Sequence, residues 1–169
     1  SDRHMGVPGE ELGGSHSATE FVGWYNGHPD HRDRRFDLSC EAVAVIGVGN
    51  VAMDVTRLLA CDPESLAKTD IAEYALSALR ASKVKTVWLL GRRGPAEAAY
   101  SPGEIEEIGS LSTADLVVDP KEAELDEVSK GELTDGETRK KVEYVQARAQ
   151  AGTSGKPRQV RLRFRVGPV

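Results

Sequence analysis

VIGVGNVAMD, residues 45–54, carries Gly47-x-Gly49-x-x-Ala52 between an apolar run and a helical pattern. Upstream, AVAVI (42–46) is short, continuous and apolar, as expected of a buried parallel strand. Downstream, Val51, Val55, Leu58 and Leu59 fall on one helical stripe. In a strand–turn–helix each small residue has a physical task. Gly47 allows the tight turn out of the strand, Gly49 lets the backbone approach a diphosphate, and Ala52 keeps the helix close to the sheet. The free N–H groups of the helix's first turn, with the dipole behind them, then face the anion. Read alone, the motif also fits a turn that needs glycine only for its geometry. Asn50 at the helix mouth either meets a cofactor or caps its own helix.

VWLLGRRGP (87–95) runs a second strand straight into two arginines. A site for NAD usually offers an acid near the end of this strand, to hold the ribose 2′-hydroxyl. Arg92 and Arg93 invert that preference, because guanidinium groups match phosphate oxygens in fork geometry and stay charged at every relevant pH. Flanking Gly91 and Gly94 leave room for an adenosine end. The alternative is a solvated strand end. The interval from Gly47 to Arg92 is roughly twice the ~20 residues of the compact unit. Two helical patterns fill it, one opening near Pro63 and one capped by Asp70 with Ile71, Tyr74, Ala75 and Leu79 on one side. Together the glycine turn and the arginine pair point to NADP.

SPGE (101–104) reads as a capping box with Pro102 at the first helical position. From spacing, Glu104 is either the reciprocal half of that box or a ligand. ADLVVD (114–119) is a third strand, and QVRLRFRV (159–166) a terminal one, with Val160, Leu162, Phe164 and Val166 on one face and arginines on the other. Before the first strand, SATE (17–20) caps a helix with Phe21, Trp24 and Tyr25 on its packing side. TDGE (134–137) caps one reaching about Gln150, whose apolar face is thin (Val142, Val145). The order predicts an α/β fold, a Rossmann-like parallel sheet flanked by helices with an extra C-terminal strand. Three parts are expected: an approach segment and helix over 1–41, a βαβ nucleotide-binding core over 42–120, and a charged helix, linker and terminal strand over 121–169. The abrupt finish on a strand suggests a piece of something longer; the sequence leaves open whether this strand pairs within the chain or with a neighbour, and an exposed edge there would template association.

The 169 residues suffice for one domain with a substantial core, and a net charge of −5 implies no general attraction to nucleic acid. Cys40 and Cys61 stand in no redox or metal spacing, which fits a reduced, cytosol-like compartment. No apolar run approaches the ~18–20 residues of a membrane span. His4, His16, His28 and His31 lie in polar or turn stretches without a ligating pair on one helix, so no metal is expected.

Several separated blocks resemble adrenodoxin reductase and the bacterial ferredoxin–NADP reductases of that type. They are GWYNGHP (23–29), VIGVGNVAMDVTRLL (45–59), KTDIAEYALSALRASKVKTVWLLGRRGP (68–95) and the aromatic–Ser–x–x–Glu step of Tyr100, Ser101 and Glu104, in order over about residues 5–120. The resemblance implies a flavoenzyme of two nucleotide-binding domains, of which this chain is the NADP-binding one. It implies that Val48, Gly49, Asn50 and Val51 contact NADP beside Gly47, that Arg92 and Arg93 hold the 2′-phosphate, and that Glu104 touches the cofactor. It also implies hydride transfer from NADPH to FAD, then single electrons to a ferredoxin-type iron–sulfur protein, in a bacterial cytoplasm or alternatively a mitochondrial matrix. No second glycine fingerprint is present for FAD, so this chain alone is expected to be inactive as a reductase. Where basic partner-docking residues are expected near the helix after the capping box, the chain has Glu106 and Glu107; Lys121 and Arg139 to Lys141 are the candidate substitutes. A second reading is a non-catalytic dinucleotide-binding or interaction module, though such a module has no physical need for adjacent cations at this position.

Overall fold

The computed structural model describes residues 3–131 and 133–169. Its elements run α1 (Ala18–Tyr25), β1 (Ala42–Ile46), α2 (Asn50–Ala60), α3 (Pro63–Leu66), α4 (Glu73–Arg80) and β2 (Thr86–Leu90). A 3-10 turn (Pro95–Glu97), α5 (Pro102–Gly109), β3 (Ala114–Val118), α6 (Glu127–Gly131), α7 (Gly136–Ala151) and β4 (Arg158–Arg163) complete the order. The four strands form one parallel sheet in the order β1-β2-β4-β3, which is the α/β architecture read from the sequence.

Register aligns the apolar positions of the strands in two rows across the sheet. Val43, Val87, Val160 and Leu116 form one row; Val45, Leu89, Leu162 and Val118 form the other. Helices cover this face, and Leu58, Leu59, Leu76, Leu79, Ile105 and Ile108 complete a single core with it. The opposite row, Ala44, Trp88, Arg161 and Val117, is left partly open, and the Arg161 guanidinium lies 5.4 Å from the Trp88 ring centroid. This cation–π contact shields an indole that would otherwise face water.

The structure decides the pairing of the terminal strand, which the sequence left open. β4 is not an open edge: it sits between β2 and β3 and pairs with both. The strand expected to be buried, β1, is instead an edge strand, and of its residues only Val45 is buried. A parallel strand becomes buried on both faces only when helices cover both, and among the described residues Ala44 on the other face is exposed. On α2, Val51 leaves the buried stripe that Val55, Leu58 and Leu59 share and is half exposed on the helix's first turn.

Two caps also differ. α4 starts at Glu73 with Ala72 as N-cap, so Asp70 does not cap it; Asp62 instead caps α3, its carboxylate accepting from Glu64 N at 3.0 Å. α7 is capped by Asp135 rather than Thr134, the Asp135 carboxylate accepting from Thr138 N at 2.7 Å. An aspartate one residue further on competes directly with threonine for the same role, and its charge favours it beside a helix dipole. The Ser101 and Ser17 caps form as expected. Phe21 and Trp24 are packed with Phe36 and Tyr74 in an aromatic cluster, the Tyr74 hydroxyl donating to Trp24 O at 2.6 Å.

Asp115, 1% exposed on β3, ties the linker before β4 to the sheet. Its carboxylate accepts from Ser154 Oγ (2.6 Å), Ser154 N (3.2 Å) and Lys156 N (3.1 Å). Burial pushes this carboxyl up, but the hydrogen bonds and the Lys156 charge outweigh it and hold it below the usual aspartate range. A carboxyl with a depressed folded-state pKa stabilises above its unfolded value and loses that contribution as pH falls through the folded one. Asp115→Ala is therefore expected to lower stability in urea unfolding by about 1–3 kcal/mol at pH 7. The gap between parent and variant should shrink as pH drops below about 4.

Candidate functional site

The site is assembled at the carboxyl ends of the parallel strands, where open α/β sheets present their crevices. Gly47 leaves β1 with φ +113°, a value that side chains rarely adopt, and its N–H donates to Leu90 O at 2.8 Å. That bond prolongs the β1–β2 pairing by one step and sets the glycine turn against the tip of β2. Gly49 is the N-cap of α2 and offers no side chain to its first turn, so the helix's leading N–H groups remain without an internal acceptor. A Cβ at Gly47 or Gly49 would meet no atom within 4 Å. The space beside the turn is open, as a diphosphate cradle requires.

Val48, between the two glycines, folds toward β2. A Cβ at Gly91 would lie 3.0 Å from Val48 Cγ1, so the valine occupies the space that Gly91 leaves. Val51 is half exposed on the first turn of α2, and with Ile46 it gives the mouth an apolar border. Asn50 is the first residue of α2 rather than its cap, and its amide nitrogen faces the Glu104 carboxylate, donating to Oε2 (2.7 Å) and Oε1 (3.2 Å).

Of the two roles that its spacing left open, Glu104 fills the capping one. Its carboxylate accepts from Ser101 N at 2.8 Å while Ser101 Oγ accepts from Glu104 N at 3.3 Å, a complete capping box. The same carboxylate reaches Asn50 across the mouth of the glycine turn. Behind it, Tyr100 is buried and its phenol is pushed well above the usual tyrosine range by burial. The Lys141 ammonium stands over that ring and donates to Ala98 O, fixing the segment that leads into α5.

Arg92 and Arg93 are exposed at the tip of β2, and among the described residues neither guanidinium has a hydrogen-bond or ion-pair partner. Other arginines nearby are committed: Arg57 to Asp54 and Glu107, Arg163 to Glu122. The flanking glycines do not provide room for a ligand. Gly91 is filled by Val48, and a Cβ at Gly94 would lie 2.9 Å from Glu97 Oε2 and 3.0 Å from Arg165 Nη2. They let the tip pack tightly against its supports. Those supports come from the terminal strand, to which the sequence assigned no part in the site: Gly91 N donates to Arg163 O (2.8 Å), Val166 N to Gly91 O (3.1 Å) and Arg165 N to Arg93 O (3.1 Å). The one signal available was the glycine on each side of the arginine pair.

The candidate docking charges are partly spent. Glu107 faces Arg57, Arg139 donates to Leu133 O, and the Lys141 ammonium is used on Ala98; Lys121 and Lys140 keep free side chains among the described residues. Also among those residues, no group of three or more His, Cys, Asp and Glu side chains is placed to hold a metal, and no helix is long and apolar enough to cross a membrane.

This geometry is that of a parallel α/β domain with a glycine turn and two free guanidiniums at the carboxyl ends of its strands, and comparison with known proteins gives its kin. The chain is 51% identical to mouse mitochondrial NADPH:adrenodoxin oxidoreductase over 70% of its length, covering 24% of that protein. It is 46% identical to the probable ferredoxin/ferredoxin–NADP reductase of Mycobacterium tuberculosis over 99% of its length, covering 29% of that protein. The structure of Mycobacterium tuberculosis FprA in complex with NADPH superposes with a TM-score of 0.90 and 40% identity over 97% of this chain and 36% of that one. No family model matches. The chain is a homologue of one part of the adrenodoxin-reductase type of ferredoxin–NADP reductase. It spans about a quarter of the length of the curated relatives it matches.

The two glycines of the turn separate backbone conformation from open space. Gly47→Ala forces a side chain onto φ +113° and should lower stability by more than about 1 kcal/mol. Gly49→Ala meets neither strain nor a neighbour and should change stability by less than about 0.5 kcal/mol. Thermal unfolding of the two variants side by side checks the contrast.

Proposed function

We propose that this chain is the NADP(H)-binding domain of a ferredoxin–NADP reductase. The observation that carries the reading is the pair of unpartnered guanidiniums, Arg92 and Arg93, one strand spacing from a glycine turn with open space and free helix N–H groups. An anion with two separated phosphate groups, such as NADP(H), satisfies both features at once. In this reading Gly47, Val48, Gly49, Asn50 and Val51 receive the diphosphate and its flanks, Arg92 and Arg93 bind the 2′-phosphate, and Glu104 meets the cofactor near Asn50.

The cofactor supplies the hydride. The chain's residues bind it, orient it and select it against its unphosphorylated counterpart. Asn50 and Glu104 hold each other before the ligand arrives, so the mouth of the turn is preorganised. With Arg92 and Arg93 fixed only through their backbone, the guanidiniums remain free to close on phosphate oxygens in bidentate geometry. The hydride acceptor is FAD, held by residues outside this chain, and the electrons pass on to a ferredoxin-type iron–sulfur protein. We assign residues 42–120 to the nucleotide-binding core, 1–41 to its approach, and 121–169 to the segment that completes its sheet. The compartment proposed is the cytoplasm, with the mitochondrial matrix as the alternative suggested by the adrenodoxin reductase relatives.

The test is calorimetric titration of the chain with NADP+ and NAD+. NADP+ is expected to bind more tightly, and Arg92→Ala combined with Arg93→Ala to narrow the difference by about 2–4 kcal/mol. Equal affinities in the parent would sink the reading; an unchanged preference in the double variant would move the phosphate elsewhere. The purified chain is also expected to be colourless, and a stoichiometric flavin in it would overturn the placement of FAD.

A further inference from the structure

Arg165 is the one non-glycine among the described residues with a positive φ, +57°. The left-handed region costs an ordinary side chain about 1 kcal/mol, so something must hold it there. Three bonds do. Its N–H donates to Arg93 O at 3.1 Å, its Nη1 to Glu122 O at 2.9 Å and its Nη2 to Glu124 O at 2.8 Å. The turn at Arg165 also directs the next N–H, that of Val166, onto Gly91 O at 3.1 Å. Residues 91 and 93 are thus gripped from one side, and the Arg92 peptide is suspended between them.

The grip has its own foundation. The Glu122 carboxylate accepts from Phe164 N (2.9 Å) and from Arg163 Nη2 (3.0 Å), so the loop after β3 and the end of β4 are cross-linked just before Arg165. Glu97 and the Arg165 guanidinium face each other across Gly94, whose missing Cβ would lie 2.9 Å from Glu97 Oε2 and 3.0 Å from Arg165 Nη2. Gly94 has φ −84°, which any residue adopts, so this glycine is demanded by contact and not by conformation. A guanidinium that donates to two backbone carbonyls while its own N–H holds Arg93 is fully engaged; it acts as a strut and not as a ligand.

We infer that Arg165 is a positioning residue for cofactor selection: its left-handed turn and its tethers to the 122–124 loop hold the Arg92–Arg93 tip where both guanidiniums meet the 2′-phosphate. The inference rests on the 2′-phosphate reading above and assigns the specificity of that site to a residue on another strand. Loss of the strut leaves the glycine turn intact, so binding of the diphosphate common to NADP+ and NAD+ stays the same. Only the phosphate contact is lost.

The experiment compares NADP+ and NAD+ affinities by calorimetry in the parent, Arg165→Ala, Arg165→Lys and Gly94→Ala, with thermal unfolding as a check on folding. Arg165→Lys keeps the charge but not the fork that spans two carbonyls. Gly94→Ala keeps Arg165 itself and displaces its guanidinium by a methyl group, a shift that the flexible ends of Glu97 and Arg165 absorb without loss of the fold. All three variants are expected to lower NADP+ affinity about 5- to 10-fold, the value of one hydrogen-bonded contact, with NAD+ affinity held within about 2-fold. A global loss of structure would move both ligands together. Preference lost in Arg165→Ala but kept in Arg165→Lys and Gly94→Ala would assign the effect to charge and overturn the strut. Unchanged preference in all three, with a parent that favours NADP+, overturns the positioning role alone. A parent that binds both nucleotides alike overturns the phosphate reading and this inference with it.

Discussion

The hydrogen bond from Gly47 N to Leu90 O, 2.8 Å long, joins the two halves of the site. It extends the β1–β2 register one residue past the last strand pair, Ile46 and Leu90, and so brings the end of each strand's loop within a strand spacing of the other. Everything proposed for the site depends on that adjacency. A helix N-terminus alone attracts many anions. In the proposed reading, a pair of guanidiniums fixed beside it narrows the choice to an anion with two separated phosphate groups.

The charge arrangement follows the same logic. The chain is acidic overall, yet two adjacent cations without partners among the described residues stand where one strand ends. Arg57, Arg80 and Arg163 have carboxylate partners, at Glu107, Glu64 and Glu122 respectively, while Arg92 and Arg93 have none among the described residues. An exposed, unneutralised pair at contact range of a phosphate keeps most of its attraction for it, whereas more distant carboxylates are screened within about 8–10 Å at ordinary salt. Glu104 is a carboxylate close to the turn, and its charge is absorbed by Ser101 N and the Asn50 amide. The acid nearest the cradle is thereby hydrogen-bonded rather than left to repel the ligand.

Insertion of β4 between β2 and β3 makes the site a long-range construction. The tip of β2 is held by backbone groups of Gly91, Arg93, Arg163, Arg165 and Val166, which join the middle of the sequence to its last strand. Contacts of such separation form late in folding, after the entropy of closing the intervening chain has been met. On the proposed reading, nucleotide selection would therefore depend on completion of the sheet and not on the local βαβ unit alone. The charged segment over 121–141 has a structural share in this, since Glu122 and the carbonyls of Glu122 and Glu124 carry the end of β4.

The sequence by itself determined the class of fold, the glycine turn, the arginine pair and most helix starts, because these are written in local periodicity and in residues with special conformational or charge properties. Gly47, Ser101 with Glu104, and the alternating face of Val160 and Leu162 are all legible within a few positions. The tertiary structure alone decided strand order, the edge position of β1, the Asn50–Glu104 bond and the support of Arg93 by Arg165. Parallel strands with similar apolar patterns satisfy one another in several orders, so periodicity does not fix which two become neighbours. Only packing of the whole sheet brings distant backbone groups within hydrogen-bonding range.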